Sequence, residues 1–440
     1  MDVRDQGHPA VYILGGVGAH RYRLPLAIVG GVAAAGVATW LLRPGGGLIE
    51  PVAVEASAYF SAEELDQADD YRDPQRVLGL AGLGLSTITL VILALRPPAR
   101  VRRALERAEA RPLLGAAAVG ASLSLVLLAV RLPLSAVAHD RAVDAGLATQ
   151  GWIDWLADVA KSGGIGAVMA AGGAALAIAV VRRFPERWWI PSAAGVVVIA
   201  AAWLYLSPVL LDPLFNRFEP LPPGPLRSEV LDLAERSGVD VGEVYRVDAS
   251  RRTTGANAYV GGLGGTKRVV LYDNLIEDFP REEVRSVVAH ELGHVKGRDL
   301  GRGLLWLAIV APAGTLLVQR LSERLHDSRG VRPGPAMLPA LALSLGIVSF
   351  FATSAGNVLS RQVEARADAY ALDLTGDPRA AEGLSRRLAV RNIADPDPPR
   401  FLHLLFGTHP TTLERIGYAV AREREDGAGG PSFRETRGGS

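Results

Sequence analysis

Seven apolar stretches set the rhythm of this chain: Leu24–Leu42, Val77–Leu95, Leu113–Val130, Gly163–Val181, Trp188–Leu211, Gly303–Val318 and Ala336–Phe351. Runs of about twenty mostly apolar residues are long enough to cross a hydrocarbon core as helices. Many of these are rich in Gly and Ala, which suits close helix packing in lipid. Buried helices of a large soluble protein are the competing reading, and the number of stretches and their flanking charges speak against it. The first stretch has no convincing small-residue cleavage site, so it reads as a retained helix and not a signal peptide.

The polar segments carry other periods. Leu226–Ser237 has helical spacing, with Leu226, Val230, Leu231 and Ala234 on one side. Glu243–Val247 is strand-like, and Ala256–Val260 and Arg268–Tyr272 flank Gly261-Gly262-Leu263-Gly264-Gly265 as the arms of a β-hairpin. A strand follows this glycine cluster where a phosphate cradle would need a helix, so it is no dinucleotide fingerprint. Val358–Leu374 and Arg379–Asn392 are helical in pattern, and from Arg422 charge, Gly and Ser predict a disordered tail. The expected fold is mostly α: a polytopic membrane protein of seven transmembrane helices with a small α+β domain. Its parts are residues 1–211 (five membrane helices), 212–302 (polar segment with hairpin and motif helix), 303–355 (helices six and seven), 356–421 (a C-terminal part of the site) and 422–440 (tail).

Composition narrows the partners. Hydrophobic residues make up 49% of the 440, and the formal net charge is +1, which argues against a nucleic-acid partner. With no cysteine there is no disulfide, thiolate zinc site or cysteine nucleophile. Arginine dominates the basic residues, as in GC-rich bacterial genomes, which suggests a bacterial plasma membrane. The Arg-rich loops at 96–111 and 182–187 alternate with acidic ones, and the positive-inside rule puts the former in the cytoplasm. Five crossings then place the polar segment on the outer face.

That segment contains His290-Glu291-Leu292-Gly293-His294. Residues four apart share a helix face, so both imidazoles can close on one Zn²⁺ while Glu291 serves as general base toward water. Pro280, Glu282 and Glu283 mark the helix start, Val284, Val287 and Val288 its buried face, and Gly297 a stop. A hydrolytic zinc needs a third protein ligand. Glu364 is the candidate, and Asp368, one turn on, can orient a ligand imidazole. A solvated charged helix is the bland alternative for both.

The residues His290–His294 with Glu364-Ala365-Arg366-Ala367-Asp368 resemble the type 1 CAAX prenyl protease family and its shorter bacterial HtpX-type relatives. Pro213–Phe218, Asn257-Ala258-Tyr259, Arg268–Asp273 and Thr408-His409-Pro410 with Arg415 are similar to the former, and Lys296–Asp299 is closer to the latter. The similarity runs from about Asp212 to Val420, and the N-terminal half matches in layout only. It implies zinc ligands His290, His294 and Glu364, the base Glu291, His409 and Arg415 near the metal, and Asn257, Ala258 and Tyr259 along a substrate groove. It also implies a water-filled chamber and a cytosolic catalytic domain, the latter at odds with the charge count. The expected activity is a zinc metalloendopeptidase, one Zn²⁺ per chain, acting on membrane-associated or CAAX-type polypeptides. A catalytically silent peptide-binding scaffold and a seven-helix transporter with an incidental metal site are the alternatives.

Overall fold

The computed structural model describes residues 17–262, 267–326 and 333–427, with side chains from Leu24 onward. The glycine turn at 263–265 and residues 428–440 of the expected tail lie outside the described residues. In chain order the helices are α1 (Val17–Leu42), α2 (Ala62–Leu95), α3 (Ala99–Ala108), α4 (Pro112–Asp144), α5 (Trp152–Arg183), α6 (Trp189–Leu210) and the single turn α7 (Asp212–Phe215). The polar segment adds β1 (Phe218–Pro220), α8 (Pro225–Ser237), β2 (Glu243–Val247), β3 (Ala258–Gly261), β4 (Arg268–Tyr272), α9 (Asp273–Asp278) and α10 (Arg281–Gly297). Then come α11 (Asp299–Leu325), α12 (Leu338–Thr375), α13 (Pro378–Arg391), α14 (Arg400–Phe406) and α15 (Thr412–Gly427).

Among the described residues seven helices are long and apolar enough to cross a membrane, and each coincides with one of the seven apolar stretches to within two residues at the stretch's ends or extends beyond it, α1 being assessed from Leu24. Their outward side chains demand lipid: Leu26, Val29, Val77, Val168 and Val198 are 65–74% exposed. Left in water, such surface would cost about 25 cal/mol per Å². Several helices outrun the bilayer. Helix α2 starts well before Val77, at a capping box in which the Ser61 N–H donates to Glu64 (2.9 Å) and the Glu64 N–H to the Ser61 hydroxyl (3.2 Å). Its polar first half carries Glu64 to Arg386 of α13 (2.9 Å). The seventh stretch and the Glu364 segment form one unbroken 38-residue helix, α12.

The polar segment folds over the end of this bundle. Its mixed sheet has the order β1-β2-β4-β3: β2 and β4 are parallel, and the outer strands pair antiparallel. The expected hairpin is present as β3 and β4, with Tyr259 opposite Val270. Val244, Val269 and Leu271 of the sheet, Val230 and Leu233 of α8, and Val288 and Leu292 of α10 close a common core. The expected disorder from Arg422 is corrected up to Gly427. Helix α15 continues there because Arg422 pairs with Asp373 and Glu423 with Arg379 (2.9 Å), giving its last turns tertiary partners.

Helices α10 and α12 meet almost backbone to backbone. A Cβ on Gly293 would stand 3.1 Å from Tyr370 Cδ1 and 3.3 Å from Ala367 Cα. Gly293→Val should therefore force the helices apart at a cost of about 1–3 kcal/mol. A lowered melting temperature in detergent together with lost metal binding is the expected result; unchanged metal binding would show that this spacing does not set the site.

Candidate metal centre

Helix α10 is built to present one face inward. Pro280 caps it, Glu282 and Glu283 occupy the first turn where the helix dipole favours acids, and Glu283 is fixed by Arg387 (2.8 Å). Val284, Val288 and Leu292 anchor the opposite side in the core. The helix ends at Gly297, and Arg298 adopts a left-handed conformation (φ 54°) before α11 starts at Asp299. A side chain at Gly297 would collide with the Arg366 guanidinium, 1.8 Å from where its Cβ would lie.

This frame brings His290, His294 and Glu364 together, with one ligand atom of each within 4.8 Å of the others. The two Nε2 atoms are 3.1 Å apart, His290 Nε2 is 3.2 Å from Glu364 Oε2, and His294 Nε2 is 3.6 Å from Glu364 Oε1. Ligand atoms on a tetrahedral zinc at about 2.0–2.1 Å sit about 3.3 Å from one another, so the spacing fits. Glu364 Oε2 is buried without a hydrogen bond of good geometry, an acceptor that asks for a cation.

Support for the imidazoles comes from carboxylates behind them. His290 Nδ1 lies 2.8 Å from Asp368 Oδ1, and Asp368 takes two bonds from Arg415, Nε to Oδ2 (3.0 Å) and Nη2 to Oδ1 (2.6 Å). His294 Nδ1 lies 3.0 Å from Asp299 Oδ2, and Asp299 is in turn bonded by Arg366. The second of these pairs was not read from the sequence. Its only local signal is an acid at the start of the next helix. In both cases the back nitrogen faces a carboxylate, leaving Nε2 for a metal.

The field in this pocket favours positive charge. Burial opposes protonation of His294, but Asp299 and Glu364 override it and push its pKa up to about 10. His290 behaves alike: burial lowers its pKa, and the Asp368 carboxylate more than compensates. A divalent cation satisfies the same demand. Glu291 is raised above the usual carboxylate range, first by burial, with the two imidazoles pulling the other way. It faces a cavity of about 700 Å³ that has His294 and Glu364 on one wall and Trp306, Leu359 and Val363 of the membrane helices on another.

The remaining residues singled out in the sequence fall around this centre. His409 is exposed, with Nε2 3.4 Å from Glu364 Oε1. Arg415 reaches the site through Asp368. Strand β3 is an edge strand, and its Val260 lines the same cavity. Asn257 is exposed and its Oδ1 accepts from the Ala258 N–H (2.9 Å), while the Tyr259 hydroxyl donates to Asp212 (3.3 Å). Away from the site, His139 packs against Trp152 and Trp155, with both ring centroids at 5.0 Å.

Known proteins share this organisation. Residues 50–217 match the family model described as the CAAX prenyl protease N-terminal region of five membrane helices, and residues 220–423 match peptidase family M48. The "uncharacterized metalloprotease YhfN" of Bacillus subtilis is 28% identical over 376 residues, covering 84% of this chain and 88% of that protein. The CAAX prenyl protease 1 homolog of Arabidopsis thaliana is 31% identical over 224 residues, 50% of this chain and 53% of that one, so the chain spans only about half of that curated relative. The crystal structure of S. mikatae Ste24p superimposes with a TM-score of 0.72 over 92% of this chain and 99% of that one, at 19% identity, a likeness of fold. With both family models in register and the His-His-Glu cluster in place, the chain belongs to peptidase family M48, in the form that carries the CAAX prenyl protease N-terminal membrane domain, and is a zinc metalloprotease of the membrane.

Proposed function

We propose that the chain hydrolyses peptide bonds in membrane-associated polypeptides at one zinc ion per chain, held by His290, His294 and Glu364, with Glu291 as general base. The placement of Glu291 carries the reading. It follows the first ligand on α10, has no hydrogen bond or ion pair among the described residues, and opens into the cavity beside the ligand atoms. A purely structural metal site has no use for a free carboxylate there.

Zinc in such a site supplies Lewis acidity, lowering the pKa of water and polarising a scissile carbonyl. Glu291 takes the proton of the attacking water and hands it to the departing amine. His409, exposed and with Nε2 3.4 Å from Glu364 Oε1, donates to the oxyanion that develops on the carbonyl. Arg415 acts through Asp368, holding the ring of His290, and Arg366 acts through Asp299 on His294. Strand β3 aligns the substrate. Asn257 lies opposite Tyr272, whose N–H donates to the Asn257 carbonyl (3.1 Å). By antiparallel alternation the backbone of Ala258 and Val260 then points away from β4, where an extended peptide can add a strand. The Asn257 side chain already covers the Ala258 N–H, leaving that residue's carbonyl and both groups of Val260.

The substrate class is read from the cavity. Its polar wall is the metal site and its apolar wall belongs to membrane helices, which suits a polypeptide carrying an apolar or lipid-modified segment. The CAAX prenyl protease relatives point the same way.

Glu291→Gln should lower cleavage of a quenched peptide in detergent by roughly 10²–10⁴-fold with zinc content unchanged. A chelator should abolish cleavage by the wild type. Equal rates for wild type and variant would end the proposal. Glu364→Ala should lose most of its zinc by elemental analysis, and a full complement would remove Glu364 from the ligand set.

Asp299→Ala and Asp368→Ala should each weaken zinc binding by about 10–100-fold in competition with a chromogenic chelator. If Asp299→Ala binds as tightly as wild type, its contact with His294 is incidental.

A further inference from the structure

Helix α14 has seven residues, and five of them, Phe401, Leu402, Leu404, Leu405 and Phe406, are large and apolar. A helix this short is not stable by itself, so its neighbours must hold it. Pro399 starts it and Gly407 follows it, with the Gly407 N–H donating to the His403 carbonyl (2.8 Å). Two polar side chains of α12 take up carbonyls at its C-terminal end, which a helix by itself leaves open. Asn357 Nδ2 donates to the Leu405 carbonyl (2.8 Å) and Arg361 Nη1 to the Gly407 carbonyl (2.6 Å). Phe406 meets Phe350 of α12 edge to face, with ring centroids 5.9 Å apart.

The other side of α14 has no protein cover among the described residues. Phe401 is 69% exposed, Leu404 53% and Phe406 46%. Adjoining apolar side chains left open in this way mark a surface that something else covers. The patch continues a lipid-facing one. Phe350 and Phe351 end the seventh apolar stretch, and Phe351 is itself 66% exposed. With Phe406 packed on Phe350, α14 lies where α12 leaves its membrane-length apolar run. Arg400 before the patch and Thr408 after it are exposed polar residues, as at a boundary with water. From α14 the chain enters the metal centre directly. Only Gly407 and Thr408 separate the helix from His409, whose Nδ1 lies 2.8 Å from Thr408 Oγ1 and whose Nε2 lies 3.4 Å from Glu364 Oε1.

We propose that α14 is seated in lipid at the membrane boundary through Phe401, Leu404 and Phe406, and that this seating holds residues 407–409 so that His409 stands beside Glu364. The partner is the headgroup and acyl-chain boundary of the bilayer, where a helix with one apolar face lies in the plane of the interface. Continuity with Phe351 selects lipid over another protein surface, because the same lipid that bathes α12 reaches α14. The three apolar residues are positioning residues: they fix the backbone from which the imidazole reaches the site. The seating stands on exposure and contacts alone, while its consequence for catalysis rests on the proposed role of His409 toward the oxyanion.

The chain has no cysteine, so a single spin label reports on one position. Phe401→Cys, Phe351→Cys and Ser57→Cys can be compared in vesicles of phosphatidylcholine and phosphatidylglycerol; Ser57 is exposed ahead of α2, outside the apolar stretches. Labels on Phe401→Cys and Phe351→Cys should collide more with oxygen, which concentrates in lipid, than with a water-soluble nickel chelate, and the label on Ser57→Cys should do the reverse. A Phe401→Cys label that follows the Ser57→Cys pattern would overturn the proposal. So would one shielded from both reagents, since protein would then cover the patch. Phe401→Ser combined with Leu404→Ser should lower kcat on a quenched peptide several-fold in the same vesicles with zinc content unchanged, whereas Phe401→Leu with Leu404→Met should keep the wild-type rate. Monodisperse elution in detergent is the check that each variant folds. An unchanged kcat in the serine variant would remove the link to His409. If the wild type itself cleaves nothing, the protease reading fails separately, and the link is read from a label on Thr408→Cys. That label should gain mobility in the serine variant, and unchanged mobility would end the link.

Discussion

Ligands on two different helices can close on one ion only if the helices come within side-chain reach, and α10 and α12 do so where Gly293 meets Ala367 and Tyr370. At that distance two i, i+4 pairs face each other. His290 stands against both Glu364 and Asp368, and His294 against Glu364 and, past the helix end, Asp299. A helix repeat of 3.6 residues makes each pair collinear on its own face. The crossing makes them a cluster. The glycine inside the metal motif is therefore a packing requirement, and at Gly297 the Arg366 guanidinium passes where a Cβ would be on its way to Asp299.

Packing this tight concentrates charge. Glu291, Glu364, Asp368 and Asp299 surround two imidazoles, and two guanidiniums, Arg415 and Arg366, bond directly to the outer pair of carboxylates. Removing such groups from water costs several kcal/mol each unless partners compensate. The arginines neutralise Asp368 and Asp299, which are the supports, while among the described residues no arginine or lysine pairs with Glu364 or Glu291. The electrostatic demand of the pocket is thus directed at its centre. A guanidinium turned toward Glu364 would have removed the attraction that a divalent ion exploits.

How far the sequence could be read follows from the range of each interaction. The two histidines are four apart on one helix, so their joint use is local and visible. The membrane helices are equally visible because apolar length is summed along the chain. Glu364 lies far from the motif; its place just after the last apolar stretch makes it the candidate among the downstream acids, and the family resemblance strengthens that choice. Asp299 was missed because its contact depends on the left-handed turn at Arg298, which no pattern of side chains announces. The continuity of α12 was hidden because apolar and charged halves look like two elements when only hydropathy is followed. The parallel pairing of β2 with β4 was equally invisible, being set by the register between distant segments. At the C-terminus, composition predicts disorder from Arg422, yet the helix continues to Gly427 because Arg422 and Glu423 find partners on other helices. Composition carries no information about such partners.

Asp299 also explains why the centre lies at the lipid boundary. It is the first residue of α11, where an acid is favoured by the helix dipole, and it is the support of His294. One side chain thus joins the start of a membrane-length helix to a metal ligand. The motif helix cannot move away from the bilayer without breaking that contact, and α12 imposes the same condition on Glu364 from the other side by running uninterrupted from its apolar stretch into the site. The cavity between them takes Trp306, Leu359 and Val363 from α11 and α12 as apolar lining, and Glu291 and His294 of α10, Asp299 and Arg302 of α11 and Glu364 of α12 as polar lining. That apolar side is the feature on which the proposed preference for membrane-associated polypeptides rests.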